Sequence, residues 1–588
     1  MINFTRFFKL LLLACATLCI QSNSFAQGTW KTLKNAAPDP NGGAAILLTD
    51  GTVMVLTSTG PGGIGDVWDL LTPVNGSYLN GTWTQLPKMH DTRLYCATQV
   101  LPDGNVYVAG GEYGTNAPDG YPGATGELYN TTAKTWTLIS GVPNNWNMYD
   151  GNSELLYDGT VLQGCQISND FFTTGLSADN LIWTESTNSY DSAAPCFGSH
   201  DEAAWVKLPD SSVINVDMGT ENSERYIPQQ KKWVTDATLP TYLYDLQLYE
   251  AGAGLMLPNG KLFFLSDSVN TAFYTPSGNA TPGSWSLGPA MPSVSGTQLG
   301  CPDAPAAIMP NGIILCDFSP AGTYNNPTYF YEYNYLTNTF TQVSSPTGGN
   351  TLNNNSCYTN MLVLPDGTIL FSQQGDNNYY QYTPKGSPIA SGKPVINSVV
   401  DICPNFMITG KLFNGISEGA GFGDDWQVAT NYPIVRLTKG TNVYYARTTN
   451  WNRIGAIMTD SLEDTAYFTI PSVPAGTYSV EVIANGIPSS PFSVTLPCTP
   501  LGLQSVVENN HMIVYPNPST GIFTFESSQP IDKAILSIYN MMGEEVVNKE
   551  ISGPVNLVDL TGRASGVYFY RVLSVEGAML STGRLTVK

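Results

Sequence analysis

Apolar and polar positions alternate in short runs from residue 28 to about residue 383, and one run recurs seven times behind the same punctuation. Each unit opens on a hydrophobic residue, then Pro or a substitute, then Asp or Asn with Gly, then a β-rich stretch. The copies are Leu48-Thr-Asp-Gly51, Leu101-Pro-Asp-Gly104, Leu156-Tyr-Asp-Gly159, Leu208-Pro-Asp-Ser211, Leu257-Pro-Asn-Gly260, Met309-Pro-Asn-Gly312 and Leu364-Pro-Asp-Gly367. Their starts step by 53, 55, 52, 49, 52 and 55 residues, the length of a four-stranded propeller blade and too long for most helical repeats. Asp-Gly and Asn-Gly supply the positive φ angles of a two-residue hairpin. The following runs, such as Asn105-Val-Tyr-Val-Ala-Gly-Gly111 and Thr368-Ile-Leu-Phe371, predict half-buried or buried strands.

An aromatic series repeats the period: Trp30, Trp83, Trp136, Trp183, Trp233, Trp285 and Phe340. One ring at a fixed place in each blade suits sheets packed face to face. The series runs ahead of the turns, so the last blade, ending near Tyr379-Tyr-Gln-Tyr-Thr-Pro384, lacks an aromatic strand of its own. The N-terminal segment Gly28-Thr-Trp-Lys-Thr-Leu33 is predicted to supply it, closing the ring and removing two free edges. The fold class that follows is all-β: a seven-bladed β-propeller over 27–390, then further β-domains.

The chain has 588 residues, 25 of them basic and 47 acidic, for a net charge of −22. That argues against nucleic acid and anionic membrane surfaces as partners. Residues 1–26 read as a secretory signal peptide, with Arg6 and Lys9, an apolar run from Leu10 to Ile20, and Ser24-Phe25-Ala26 as the cleavage site. No later run is long enough for a transmembrane helix. Eight cysteines lie beyond the signal, at 96, 165, 196, 301, 316, 357, 403 and 498, an even number that permits disulfides in an exported chain. Cys403 and Cys498 bracket one domain and are the favoured pair. None stands in a Cys-x-x-Cys spacing, so zinc and dithiol chemistry have no support.

After Tyr382-Thr-Pro-Lys-Gly-Ser-Pro388 the period stops. Short strands split by Gly and Pro, including Ile434-Val-Arg-Leu437 and Tyr478-Ser-Val-Glu-Val-Ile483, predict an immunoglobulin-like sandwich over 394–497. Asp424 and Asp425 fall there as a solvated loop. Residues 498–511 read as a linker. A third unit over 512–588 carries Tyr515-Pro-Asn-Pro-Ser-Thr-Gly521, Ile535-Leu-Ser-Ile-Tyr-Asn540, Gly566-Val-Tyr-Phe-Tyr-Arg571 and the closing Gly583-Arg-Leu-Thr-Val-Lys588. It resembles the C-terminal sorting domain of type IX secretion substrates of the Bacteroidetes. The resemblance implies the type IX machinery as a partner, passage across the outer membrane, and release or attachment at the cell surface. Read from its residues alone, the unit is a small β-sandwich.

Propeller and sandwich together resemble the kelch family and, within it, galactose oxidase-like proteins. That family implies a copper held by two tyrosines and two histidines, one tyrosine cross-linked to a cysteine. Arg93-Leu-Tyr95 matches the position of the cross-linked tyrosine, but Asn41-Gly-Gly-Ala-Ala45 stands where the cysteine belongs, and Cys357-Tyr358 replaces the adjacent Tyr-His pair. The chain has three histidines, His90, His200 and His511, and none in the sandwich. Imidazole nitrogen is what such copper needs, so no copper and no catalytic residue is expected. No Gly-x-Ser-x-Gly elbow, His-Glu-x-x-His or phosphate-cradling loop is present either.

Innermost strands begin seven or eight residues before each turn and line the channel mouth. Counting back gives Tyr95, Tyr149, Asp150, Asp201, Glu202, Glu250, Asp303 and Tyr358, of which strand alternation sends only some toward the axis. Acids and tyrosines converging there could accept bonds from sugar hydroxyls and stack on sugar rings, hold a hard cation such as Ca²⁺, or simply face water. The expected role is non-catalytic binding of a glycan, matrix polymer or protein outside the cell. The alternative is a carbohydrate-active hydrolase or diverged oxidase on the same face.

Overall fold

The computed structural model describes residues 27–59, 63–115, 125–139, 148, 151–164, 181–184, 189–192, 203–247, 249–417, 430–457, 462–496, 512–541, 543–575 and 579–588. They form two compact units: the described residues up to Val400 with those of Asn405–Pro497, and Asp401–Pro404 with the described residues of Cys498–Lys588.

In the first unit, seven antiparallel four-stranded meanders follow one another, the sixth enlarged by three short strands. Their first strands are Asn41–Leu47, Ala97–Val100, Ser153–Leu155, Trp205–Lys207, Ala251–Met256, Ala306–Ile308 and Thr359–Val363. Each touches the next and the last touches the first, so these strands ring a common axis, the arrangement of a β-propeller. The ring closes as the aromatic offset requires: Thr29–Thr32 pairs antiparallel with Tyr380–Thr383, Trp30 opposite Tyr382.

The repeated turn is tighter in definition than a two-residue hairpin. Positive φ falls on the Gly position alone, or on Ser211 in the fourth copy, at +68° to +85°. Leu48 N–H donates to Thr52 O at 2.8 Å and Gly51 N–H to Leu48 O at 2.9 Å, making a three-residue loop with its last residue left-handed. The Asp or Asn of every copy accepts the N–H two residues on, as Asp50 does from Thr52 at 3.0 Å and Asn311 from Ile313 at 2.9 Å, which is why the motif requires a short acceptor.

The aromatic series sits on fourth strands, where an indole packs on a third-strand tyrosine: Trp136 on Tyr129 at 4.8 Å, Trp285 on Tyr274 at 4.9 Å, Trp30 on Tyr382 at 4.7 Å between ring centroids. Several indoles also donate to the preceding sheet or its linker, Trp136 to Pro87 O at 2.8 Å and Trp285 to Ser223 Oγ at 3.1 Å. Trp183 departs from the series. It lies on the third strand of its sheet, Leu181–Thr184, opposite Tyr190 on the fourth, and reaches Tyr107 of the preceding sheet at 5.3 Å.

The strands from Val395 to Leu496, the segment expected to be an immunoglobulin-like sandwich, join in one eight-stranded sheet, with Phe406 stacked on Phe468 at 5.3 Å. It seats on the turn side of the propeller. Tyr432 donates its hydroxyl to Leu47 O, Arg447 Nη2 to Asp103 O at 2.8 Å, and Thr448 N–H to Thr49 O at 3.4 Å. These contacts lie at the turn end of the first strands, opposite the end at which those strands begin.

In the second unit, Ile522–Tyr539 pairs with Met512–Tyr515, Glu545–Asp559 and Gly566–Ser574, and Met579–Val587 completes the sheet. Register shifts after Glu526 and Ile531 bend it, and Phe523, Phe525, Leu536, Tyr570 and Val572 share one core. Asn517 of the Pro-Asn-Pro motif donates to Arg584 O at 2.6 Å and accepts from Thr586 N–H at 2.9 Å, tying the first loop to the last strand.

Cys96, Cys301, Cys316 and Cys357 are buried, and burial pushes the Cys96 thiol up to about 11. Cys403 is disulfide-bonded; Cys165, Cys196 and Cys498 lie outside the described residues, as do Asp424 and Asp425.

Candidate functional site

A cavity of about 630 Å³ opens at the mouth. Four of the residues picked out by counting back, Tyr95, Glu250, Asp303 and Tyr358, line it together. They lead into the inner strands of the second, fifth, sixth and seventh sheets, one to three residues ahead of them. Tyr149, Asp150, Asp201 and Glu202 lie outside the described residues. The wall also holds Glu112, Tyr113, Tyr324 and Gln374, which follow second strands. A second strand runs antiparallel to the first and so ends at the face where the first began.

The backbone at the mouth is unusual. Tyr95 and Asp303, each six residues before the repeat hydrophobic, have φ of +55° and +44°, and Tyr249 beside Glu250 has +63°. Non-glycine residues persist there only when their surroundings fix them. Asp303 N–H donates to Ala251 O at 3.0 Å, and Glu112 N–H to Tyr95 O at 3.3 Å. Glu250 N–H donates to Asp245 Oδ2 at 3.1 Å while Asp245 N–H returns to Glu250 O at 3.2 Å. Tyr358 ends a helical turn, Ser356–Tyr358, capped by Asn355, whose side chain accepts from Cys357 N–H at 2.9 Å.

Side chains then connect across the cavity. Gln374 Nε2 donates to the Tyr95 hydroxyl at 3.1 Å, and the Tyr95 and Tyr113 rings meet edge to face at 5.9 Å. The Tyr324 hydroxyl donates to Glu250 Oε1 and lies 3.4 Å from Asp303 Oδ2, so one phenol sits between two carboxylates from different sheets. Below them Asp267 accepts from Gly322 N–H at 3.0 Å. Burial, with smaller contributions from Asp245 and Glu250, raises its pKa from 3.8 to about 8. Burial also raises Asp317, which accepts from Thr359 Oγ1 at 2.8 Å.

A carboxyl that binds its proton more tightly folded than unfolded stabilises the fold most when protonated, and loses that contribution as pH rises from about 4 to about 8. The urea midpoint should therefore fall between pH 5 and pH 8.5, and fall less in Asp267→Asn. An equal fall in both proteins would contradict this reading of Asp267.

His90 is held elsewhere. Its Nδ1 is 2.7 Å from Glu127 Oε2, and Glu127 also accepts from the His90 and Asp91 N–H groups, at 2.9 Å and 3.1 Å. Arg93 flanks this pair, 3.6 Å from Glu127 and 3.5 Å from Asp91. His90 is thus part of a structural hydrogen-bond cluster. His200 and His511 lie outside the described residues. Among the described lining residues the groups able to ligate are phenols, carboxylates, the Gln374 amide and the Cys357 thiol, with no imidazole, a set that does not fit the two-histidine copper the galactose oxidase resemblance implies. Among the described residues no group of three or more His, Cys, Asp or Glu could hold a metal ion.

Comparison with known proteins assigns the second unit. Residues 513–586 match the family model described as a secretion system C-terminal sorting domain. The chain therefore carries the sorting domain of type IX secretion, which directs export to the cell surface or release, and no described helix is long and apolar enough to cross a membrane. No curated protein matches the sequence. Among solved structures, the chain is similar to a fungal alcohol oxidase of the AA5 family in complex with copper, at 13% identity and a TM-score of 0.47 over 80% of this chain and 99% of that one. It is also similar to a catalytically inactive virginiamycin B lyase from Staphylococcus aureus with quinupristin, at 10% identity and a TM-score of 0.41 over 61% of this chain and 100% of that one.

Proposed function

We propose that this is an extracellular binding protein, delivered by its sorting domain, whose propeller mouth holds a glycan. The observation that carries the reading is the convergence of Tyr95, Glu250, Asp303 and Tyr358 from four sheets on one cavity. Phenol rings offer stacking faces to sugar rings, and carboxylates with Gln374 offer acceptors and a donor to hydroxyls. The net charge of −22 disfavours polyanionic ligands.

Tyr358 is 40% exposed, so Tyr358→Ala should leave the melting temperature nearly unchanged while lowering retention on a glycan array roughly tenfold, the loss of one stacked ring. Unchanged retention in both Tyr358→Ala and Tyr95→Ala would reject the site. The two carboxylates flanking the Tyr324 hydroxyl favour a second reading, a carbohydrate-active hydrolase. Reducing ends released from a polysaccharide panel by the wild type and lost in Glu250→Gln would select it.

A further inference from the structure

Resting on the glycan reading, we infer that the site runs on from the mouth along an aromatic strip beside the fifth sheet, and that the strip takes a linear, equatorially linked polysaccharide chain rather than a single sugar. Residues 236–250 carry the backbone from the outer strand of the fourth sheet to the inner strand of the fifth, on the face where the cavity opens. Three tyrosines stand on this segment. Tyr244 is buried in a cluster with Ala203, Met218 and Ala251. Tyr249 stacks on it at 5.7 Å and 18°, and Tyr242 meets it edge to face at 5.3 Å. Tyr242 and Tyr249 are 40% and 39% exposed, so one sunken ring holds two that are open to solvent.

The strip is fixed before any ligand arrives. From the fifth sheet, Ser268 Oγ donates to Tyr242 O at 3.1 Å and Asn270 Nδ2 to Thr241 Oγ1 at 3.2 Å. On the fourth-sheet side, Leu239 N–H donates to Glu221 O at 2.8 Å. Tyr249 N–H donates to Asp245 O at 3.2 Å and the residue is held in a left-handed conformation. Rings placed in this way lose little freedom when a sugar stacks on them. The strip is also continuous with the mouth, because Tyr249 adjoins Glu250, which lines the cavity. A glycan seated in the cavity can therefore pass over Tyr249 and then Tyr242. Equatorial linkages keep successive sugar rings in one ribbon, whose C–H faces lie on two aromatic rings in a row. A chain that coils through axial linkages, or a single sugar, meets one of them at most.

The test is calorimetric titration of the mature protein with β-1,4-glucan, β-1,4-mannan and α-1,4-glucan oligomers, each as disaccharide and hexasaccharide. In a β-1,4 series the hexasaccharide is expected to bind roughly tenfold more tightly than the disaccharide, with no such gain in the axially linked α-1,4 series. Tyr242→Ala should bring the hexasaccharide down to the affinity of the disaccharide, with a melting temperature close to that of the wild type because the ring is half exposed. No gain with length in any series overturns this inference, as does an equal gain in the α-1,4 series or a gain kept in both Tyr242→Ala and Tyr249→Ala. A protein dimer in solution that Tyr242→Ala dissociates also overturns it, a second copy then covering the rings. If none of these oligomers binds while another glycan on the array is retained, the inference falls and the glycan reading stands. Failure of every oligomer and of every glycan on the array rejects the glycan reading itself.

Discussion

Trp30→Ala lowers the stability of the propeller by about 3 kcal/mol in urea unfolding, the scale of removing a large aromatic from a packed site. Its strand is the outer edge of the seventh sheet, contributed from the far end of the propeller sequence. The indole meets Phe330 at 5.6 Å, Phe371 at 5.5 Å and Tyr382 at 4.7 Å, and its Nε1 donates to Ser344 O at 2.7 Å. It therefore joins the sixth and seventh sheets as well as completing one. Deleting residues 27–33 goes further, leaving Tyr380–Thr383 as an unpaired edge free to recruit other chains, so this truncation should aggregate on purification. A loss under about 1 kcal/mol for Trp30→Ala, with a monomeric truncation, would show that the ring closes without this strand.

The second large effect is expected at Arg225. It is fully buried, with Nε 3.2 Å from Asp236 Oδ2, Nη2 donating to Thr281 O at 2.5 Å, and Nη1 3.4 Å from Asp210. Asp236 in turn accepts from the Tyr274 hydroxyl and Gly283 N–H, each at 2.9 Å. Arg225 and Asp236 belong to the fourth sheet and its exit, Tyr274 to the fifth, so the cluster locks two sheets. Arg225→Met strands a buried carboxylate and should cost roughly 3–5 kcal/mol. Adding Asp236→Asn neutralises that charge while keeping the acceptor for Tyr274 and Gly283, and should recover at least about 1 kcal/mol. A double variant no more stable than the single one would mean that the loss comes from packing and not from the stranded charge.

The repeat could be read from the chain because one hydrogen bond is made seven times. A short acceptor two residues before an N–H leaves the same letters wherever the turn recurs, whatever the strands beside it contain. The aromatic series was legible for the same reason until Trp183, where a ring has moved to the neighbouring strand and spacing alone cannot see the change. Tyr95, Glu250, Asp303 and Tyr358 were found because they hold a fixed distance to the turn. Tyr113, Tyr324, Glu112 and Gln374 were missed because they follow second strands, in loops of unequal length. Counting forward from each turn to the end of the second strand would have drawn attention to that side of the wall. The type of turn was misjudged because Asp-Gly fits both a two-residue loop and a three-residue one, and only the backbone bonds of Leu48 and Gly51 separate them.

The central claim is that ligand is held at the mouth, on the side away from the immunoglobulin-like sandwich. Hydrogen exchange of the mature protein, with and without the best-retained glycan, tests it directly. Protection is expected around Tyr95, Tyr249 to Ala251, Asp303, Ser356 to Tyr358 and Gln374, with the opposite side unchanged. Protection confined instead to the cleft between propeller and sandwich, where Asn75, Tyr444 and Arg447 stand, would contradict it.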